Sequence, residues 1–99
     1  MAQIVWTAEA QRWLQEIYDD IAEDNEPAAY RTVRGIHERA DILLTFPETG
    51  YQYRDRPEVR VLPYGHYRIA YRITPERDIE ILGVFHTALD VRRYLIPPE

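Results

Sequence analysis

The side chains best suited to chemistry are gathered in one short stretch. From Val59 to Ile73 the chain reads Val-Arg-Val-Leu-Pro-Tyr-Gly-His-Tyr-Arg-Ile-Ala-Tyr-Arg-Ile. Successive side chains along a strand point to opposite faces. Arg60, His66, Arg68 and Arg72 then form a cationic row, and Val59, Val61, Tyr67, Ile69, Tyr71 and Ile73 an apolar one. Arginine offers a planar fork of donors that matches a carboxylate or a phosphate. Histidine titrates near neutral pH and can pass a proton. A face of this kind can hold an anion or an acidic partner. With His86 on the next strand it also contains the parts of an acid–base pair.

Two strands joined by a tight turn at residues 63–65 would position this row. A three-residue loop pairs Leu62 with His66 and Arg60 with Arg68, and it keeps the two faces unmixed. Gly65 then ends the loop, where a left-handed conformation carries no steric cost for glycine. The register brings two arginines side by side, which is unfavourable by a few tenths of a kcal/mol or more unless an anion lies between them. The alternative is that each guanidinium turns to solvent or to a nearby carboxylate. Carried to the third strand, residues 79–86, the same rule pairs Arg72 with Glu80 and His66 with His86. Two imidazoles without a third ligand are a weak metal site, so no metal and no cofactor is expected.

The elements that must carry these strands are legible from periodicity. Residues 3–6 read as a short strand. Thr7 reads as an N-cap, followed by a helix with Ala10, Leu14, Ile17 and Ile21 on one stripe and Trp13 and Tyr18 beside it. Asp19, Asp20, Glu23 and Asp24 cover its far side, as a solvated face does. Asn25-Glu26-Pro27 breaks the pattern, since proline is tolerated only in the first turn. A second helix follows over 27–44, with Ala29, Val33, Ile36, Ala40 and Leu43 inward and His37 on the surface. Gly35 inside it costs about 1 kcal/mol and permits close approach of the first helix or of the sheet. Two helices this close in sequence pack antiparallel. Residues 51–57 read as irregular or edge-like, and residues 87–95 as a short terminal helix. The fold class is α+β, in the order β-α-α-β-β-β, with the helical hairpin on one face of a small, mainly antiparallel sheet.

Composition sets outer limits. The 99 residues make a single domain, 1–99, with 45% hydrophobic and 29% charged residues. There is no cysteine, hence no disulfide framework and no thiolate metal site. No apolar run approaches the roughly 20 residues that span a bilayer, so a cytoplasmic location without membrane contact is expected. All twelve basic residues are arginine and the net charge is −5, a poor match to a broad nucleic-acid surface. The charge is uneven. Residues 1–50 hold ten acids and four arginines, net −6, and residues 51–99 hold seven acids and eight arginines, net +1.

In their order and spacing, several segments resemble the RelE/ParE superfamily of type II toxin–antitoxin toxins. They are Trp6-Thr7-Ala8, Leu14 with Ile17, Asn25-Glu26-Pro27-Ala28-Ala29, and Leu44 with Phe46-Pro47 and Gly50. Val59-Arg60-Val61-Leu62, Tyr67-Arg68-Ile69-Ala70-Tyr71 and Ile81-Leu82-Gly83-Val84-Phe85-His86 complete the set. Each segment is mostly core and turn chemistry, and only their succession over nearly the whole chain is specific. The resemblance implies a small growth-inhibiting toxin, neutralised by a cognate antitoxin that wraps it with extended and helical segments. Toxin–antitoxin hetero-oligomers or a homodimer follow from the same resemblance.

Within the superfamily, RelE-like members cut messenger RNA on the ribosome, and ParE-like members inhibit DNA gyrase without being nucleases. If RelE-like, the catalytic residues here are Arg60, Arg68, His86 and Tyr94. Where much of the family has His-x-x-Arg, this chain has His86-Thr87-Ala88-Leu89, and it has no lysine. The resemblance is therefore closer to ParE. On that reading no residue need be catalytic, and Arg60, His66, Arg68, Arg72, His86, Arg92 and Arg93 are binding residues. A third reading keeps the fold as a non-toxic interaction module.

Overall fold

The computed structural model describes residues 2–86. Its elements are β1 (Ile4–Trp6), α1 (Ala8–Ala22), α2 (Glu26–Asp41), a 3-10 turn (Ile42–Leu44), β2 (Tyr51–Tyr53), β3 (Arg56–Tyr64), β4 (Tyr67–Ile73) and β5 (Ile79–Phe85). This is the α+β order expected, with one strand more: the edge-like segment after Gly50 forms β2. The expected terminal helix, with Arg92, Arg93 and Tyr94, lies outside the described residues.

The helices begin where their caps dictate. Thr7 Oγ1 accepts from the backbone N–H of Ala10 at 3.1 Å, and Asn25 Oδ1 from that of Ala28 at 3.0 Å. Each satisfies one donor of a first turn that has no partner within its helix. Pro27 occupies that first turn of α2, where its missing N–H costs nothing. Ala10, Leu14, Ala29, Ile36, Ala40 and Leu43 are buried, as the apolar stripes require. Thr7 also donates through Oγ1 to the carbonyl of Ile81 at 2.8 Å, which fastens the start of α1 to β5.

One sheet holds all the strands, in the order β1-β5-β4-β3-β2. β1 is parallel to β5 and the other pairs are antiparallel. The helical hairpin covers one face. There Leu62, Ile69, Tyr71, Ile79, Ile81 and Val84 meet Ala10, Leu14, Ile36, Ala40 and Leu43. A second, smaller cluster of Val59, Val61, Ala70 and Phe85 is also fully buried, with Trp13, Tyr53 and Leu82 against it. Trp13 touches both clusters, and its ring meets Phe85 edge-on at 4.9 Å.

This second cluster overturns the expected hairpin register. Leu62 pairs with Ile69, Val61 with Ala70 and Arg60 with Tyr71, around a two-residue turn at Gly65-His66. Gly65 has φ +58° and His66 does not share that sign, the pattern of a type II′ hairpin turn. The three-residue loop rested on keeping apolar residues on one face. The sheet instead buries apolar residues on both faces, so that constraint does not apply. Because the side-chain period is two, an odd change of register sends the partners to opposite faces. Val59 and Val61 therefore face away from Ile69 and Tyr71, and Arg60 does not meet Arg68.

The β4–β5 pairing matches expectation at one end only. Arg72 stands opposite Glu80, and their side chains form an ion pair at 2.7 Å. A bulge then adds Leu82 to β5, so Ile69 meets Val84 and Arg68 meets Phe85. His86 consequently lies beside Tyr67, with ring centroids 5.2 Å apart, and does not pair with His66.

Candidate functional site

The cationic residues are spread over two faces. Arg60 shares its face with Tyr71, and its Nη1 donates to the carbonyls of Gly50 at 2.8 Å and Glu48 at 3.3 Å. Tyr71 is fully buried and braces the same loop. Its hydroxyl donates to the carbonyl of Pro47 at 2.7 Å and accepts from the N–H of Gly50 at 2.9 Å. Burial pushes the Tyr71 phenol above its ordinary pKa, because the phenolate would lose its water. Arg60 is therefore a clamp on residues 48–50, a role its sequence position did not announce.

Arg68 lies on the opposite face, across from Pro63 and Phe85. Its Nη1 donates to the carbonyls of Tyr67 at 2.9 Å and Gly65 at 3.2 Å. Arg72 is held by Glu80, whose carboxylate raises the arginine's pKa. His66 sits exposed in the turn, and His86 is exposed and stacked on Tyr67. Among the described residues, the structure brings together Arg72 with Glu80 and His86 with Tyr67. It does not bring Arg60, Arg68 and His86 to one point. Tyr94, Arg92 and Arg93 lie outside the described residues.

Two concavities flank α1. One groove of about 450 Å³ is lined by Trp6, Gln11, Leu14, Gln15, Tyr18, Val33 and His37. The Trp6 and His37 rings pack at 4.4 Å on its wall, and a further hollow continues past Tyr18 and Val33 to Tyr30 and Arg34. Tyr30 is 61% exposed. Aromatic and aliphatic walls with a polar edge suit the apolar face of a partner helix.

The second groove, about 600 Å³, runs along another side of α1. Trp13, Ile17 and Ile21 line it with Glu16, Asp20 and Asp24, and Tyr67 and His86 close one end. Burial raises the Tyr67 pKa, and the Asp20 carboxylate adds to that rise. The acidic run on this helix reads in sequence as a solvated face. The fourfold spacing of Glu16 and Asp20 was the available signal that they share one line.

Comparison with known proteins adds an independent finding. Residues 4–91 match the family described as "ParE toxin of type II toxin-antitoxin system, parDE". A protein of Sinorhizobium fredii named "Putative toxin Y4kP" is 40% identical over 85 residues, covering 85% of this chain and 86% of that one. Among solved structures, the chromosomal ParDE toxin–antitoxin system of P. aeruginosa superposes with a TM-score of 0.77 at 25% identity. It covers 88% of this chain and 97% of that chain. The toxin–antitoxin complex RelBE2 of Mycobacterium tuberculosis gives 0.64 at 25% identity, over 86% of this chain and 96% of that chain.

Proposed function

The chain belongs to the ParE family of type II toxin–antitoxin toxins, and from that membership we propose that it arrests growth by binding DNA gyrase and is neutralised by a cognate antitoxin. The observation that carries a binding mechanism is the disposition of the cations. Cleavage of RNA by its own 2′-hydroxyl needs a base, an acid and cations converging on one phosphate. Arg60 and Arg68 lie on opposite faces of the sheet, each committed to backbone carbonyls, and His86 stacks on Tyr67. This arrangement favours a surface that docks over one that cuts. The net charge of −5 points the same way.

An antitoxin partner is supported by the two structural relatives, both of them toxin–antitoxin assemblies. On this reading an amphipathic helix of the antitoxin lays its apolar side in the groove of Trp6, Leu14, Tyr18, Val33 and His37. Action on gyrase places the protein in the cytoplasm, and among the described residues no helix is long and apolar enough to cross a membrane.

The test is a supercoiling assay with purified gyrase, paired with expression of the chain without its partner. Growth arrest and loss of supercoiling are expected. Growth arrest with normal supercoiling and transcripts cut on ribosomes would establish the RelE-type activity instead. Normal growth at full expression would reduce the chain to an interaction module of the same fold.

A further inference from the structure

The loop between the 3-10 turn and β2 is fastened at each residue from 46 to 50. The Phe46 N–H donates to the carbonyl of Ile42 at 2.8 Å, and the Phe46 carbonyl accepts from Thr49 Oγ1 at 2.7 Å. Tyr71 and Arg60 hold Pro47, Glu48 and Gly50 from the sheet. On this fixed base Phe46 is 64% exposed, more than any other large hydrophobic side chain among the described residues, and Leu44, two residues earlier, is 45% exposed. An aromatic ring on a backbone already held in place loses little freedom when a partner covers it, which is the property of a strong contact residue.

Phe46 walls a hollow of about 440 Å³ together with Thr45, Pro47, Glu48, Thr49 and Arg77. Arg77 reaches it from the β4–β5 turn, where its φ is +69°. Glycine or asparagine adopts that left-handed conformation more readily, so the turn itself gains nothing from an arginine there. Glu48 and Arg77 both line the hollow, and among the described residues neither has an ion-pair partner. The face therefore carries an apolar knob, a recess and one unpaired charge of each sign. Across a twofold axis, a residue that meets a second residue of the other copy is matched by the reverse contact. Two such faces set each Phe46 against the other's recess and place Glu48 opposite the partner's Arg77 twice. A face of a single sign would repel its own copy, whereas this one is complementary to itself. We propose that it is the contact between two copies of this chain, paired about a twofold axis. It shares no residue with the groove of Trp6, Leu14 and Tyr18, and it does not depend on the gyrase reading.

The test is sedimentation velocity on the purified full-length chain from about 1 to about 100 µM, a range over which a micromolar dimer assembles. The weight-average mass should rise from that of one chain towards that of two. E48R and R77E change exposed positions, and circular dichroism verifies their fold. Each should associate about tenfold more weakly than the wild type, because each sets like charges together at both contacts. An equimolar mixture of the two variants should return to wild-type association, since the mixed pair has opposite charges at both contacts. F46A should weaken the dimer by about tenfold without altering either charge. A wild type that is monomeric at every concentration would overturn the proposal. So would a dimer that E48R and R77E leave unchanged, or a mixture that associates no better than its components. A monomeric wild type whose F46A variant loses affinity for the antitoxin would assign this face to that partner and equally overturn the proposal.

Discussion

Replacing Arg60 by alanine removes the donor that holds the carbonyls of Glu48 and Gly50. Those carbonyls must then find water, and the expected loss is about 1–2 kcal/mol. Arg68→Ala removes contacts made only within its own hairpin, so it should cost less. Urea unfolding of the two variants separates a loop clamp from a solvated cation. Equal effects would remove the clamp assignment. Tyr71 makes the sharper case, because its hydroxyl both donates to Pro47 and satisfies the N–H of the buried Gly50. Tyr71→Phe should cost about 1–3 kcal/mol, since a buried donor is left without a partner. The pH dependence has a definite sign. The phenol pKa is raised on folding, so above the ordinary tyrosine value of about 10 the unfolded chain releases its proton first, and stability falls as pH rises. Tyr67 shifts the same way and remains in the variant. Tyr71→Phe should therefore make the alkaline decline shallower without abolishing it, as read from unfolding midpoints across that range.

At the scale of elements, the β3–β4 hairpin depends on Gly65. A Cβ at this position would meet nothing within 4 Å, yet φ is +58°. Gly65→Ala therefore tests backbone conformation alone and should cost about 1–2 kcal/mol in a denaturant titration. A negligible change would mean that the turn relaxes freely, and the II′ assignment would fail. The helices were the most legible elements. Thr7, Asn25 and Pro27 mark their starts by chemistry confined to one turn, and the apolar stripes of α1 and α2 predict the buried residues. Strand pairing was less legible. Arg72 and Glu80 pair as the sequence predicts because only five residues separate β4 from β5. The bulge at Leu82, a few residues on, moved His86 from His66 to Tyr67. A bulge has no reliable local signature here. It is settled by which side chains pack, as when Val84 turns to the helices and Phe85 to Trp13.

For the whole molecule, the join between the helical and sheet layers can be tested through Gly35. A Cβ there would lie 2.0 Å from the Tyr64 hydroxyl oxygen, so the glycine makes room for a sheet side chain against α2. Alanine is otherwise better than glycine in a helix interior by about 1 kcal/mol. In a Tyr64→Ala background, Gly35→Ala should recover that gain. In the native background it should be neutral or harmful, with an interaction energy of about 0.5–3 kcal/mol between the two sites. Additive effects would mean that Tyr64 does not rest on Gly35.

The amino-acid sequence by itself determined most element types, the helix starts, the core beneath the helices and the family, because these follow from periodicity, capping and turn chemistry within a few residues; it did not determine that α2 gives way to a 3-10 turn at Ile42, short of the residue 44 to which its apolar stripe runs, or that the segment after Gly50 forms β2. It also determined that the arginines around Gly65 would be prominent. Only the tertiary structure decided which way they point. Residues 59–73 hold alternating apolar and cationic side chains, but the face each one takes depends on the parity of strand pairing. That parity was set by two buried faces, one against the helical hairpin and one around Val59, Val61, Ala70 and Phe85. A single strand pattern contains no information about a second core, so Arg60 and Arg68 looked like partners in sequence and stand on opposite sides of the sheet in the fold.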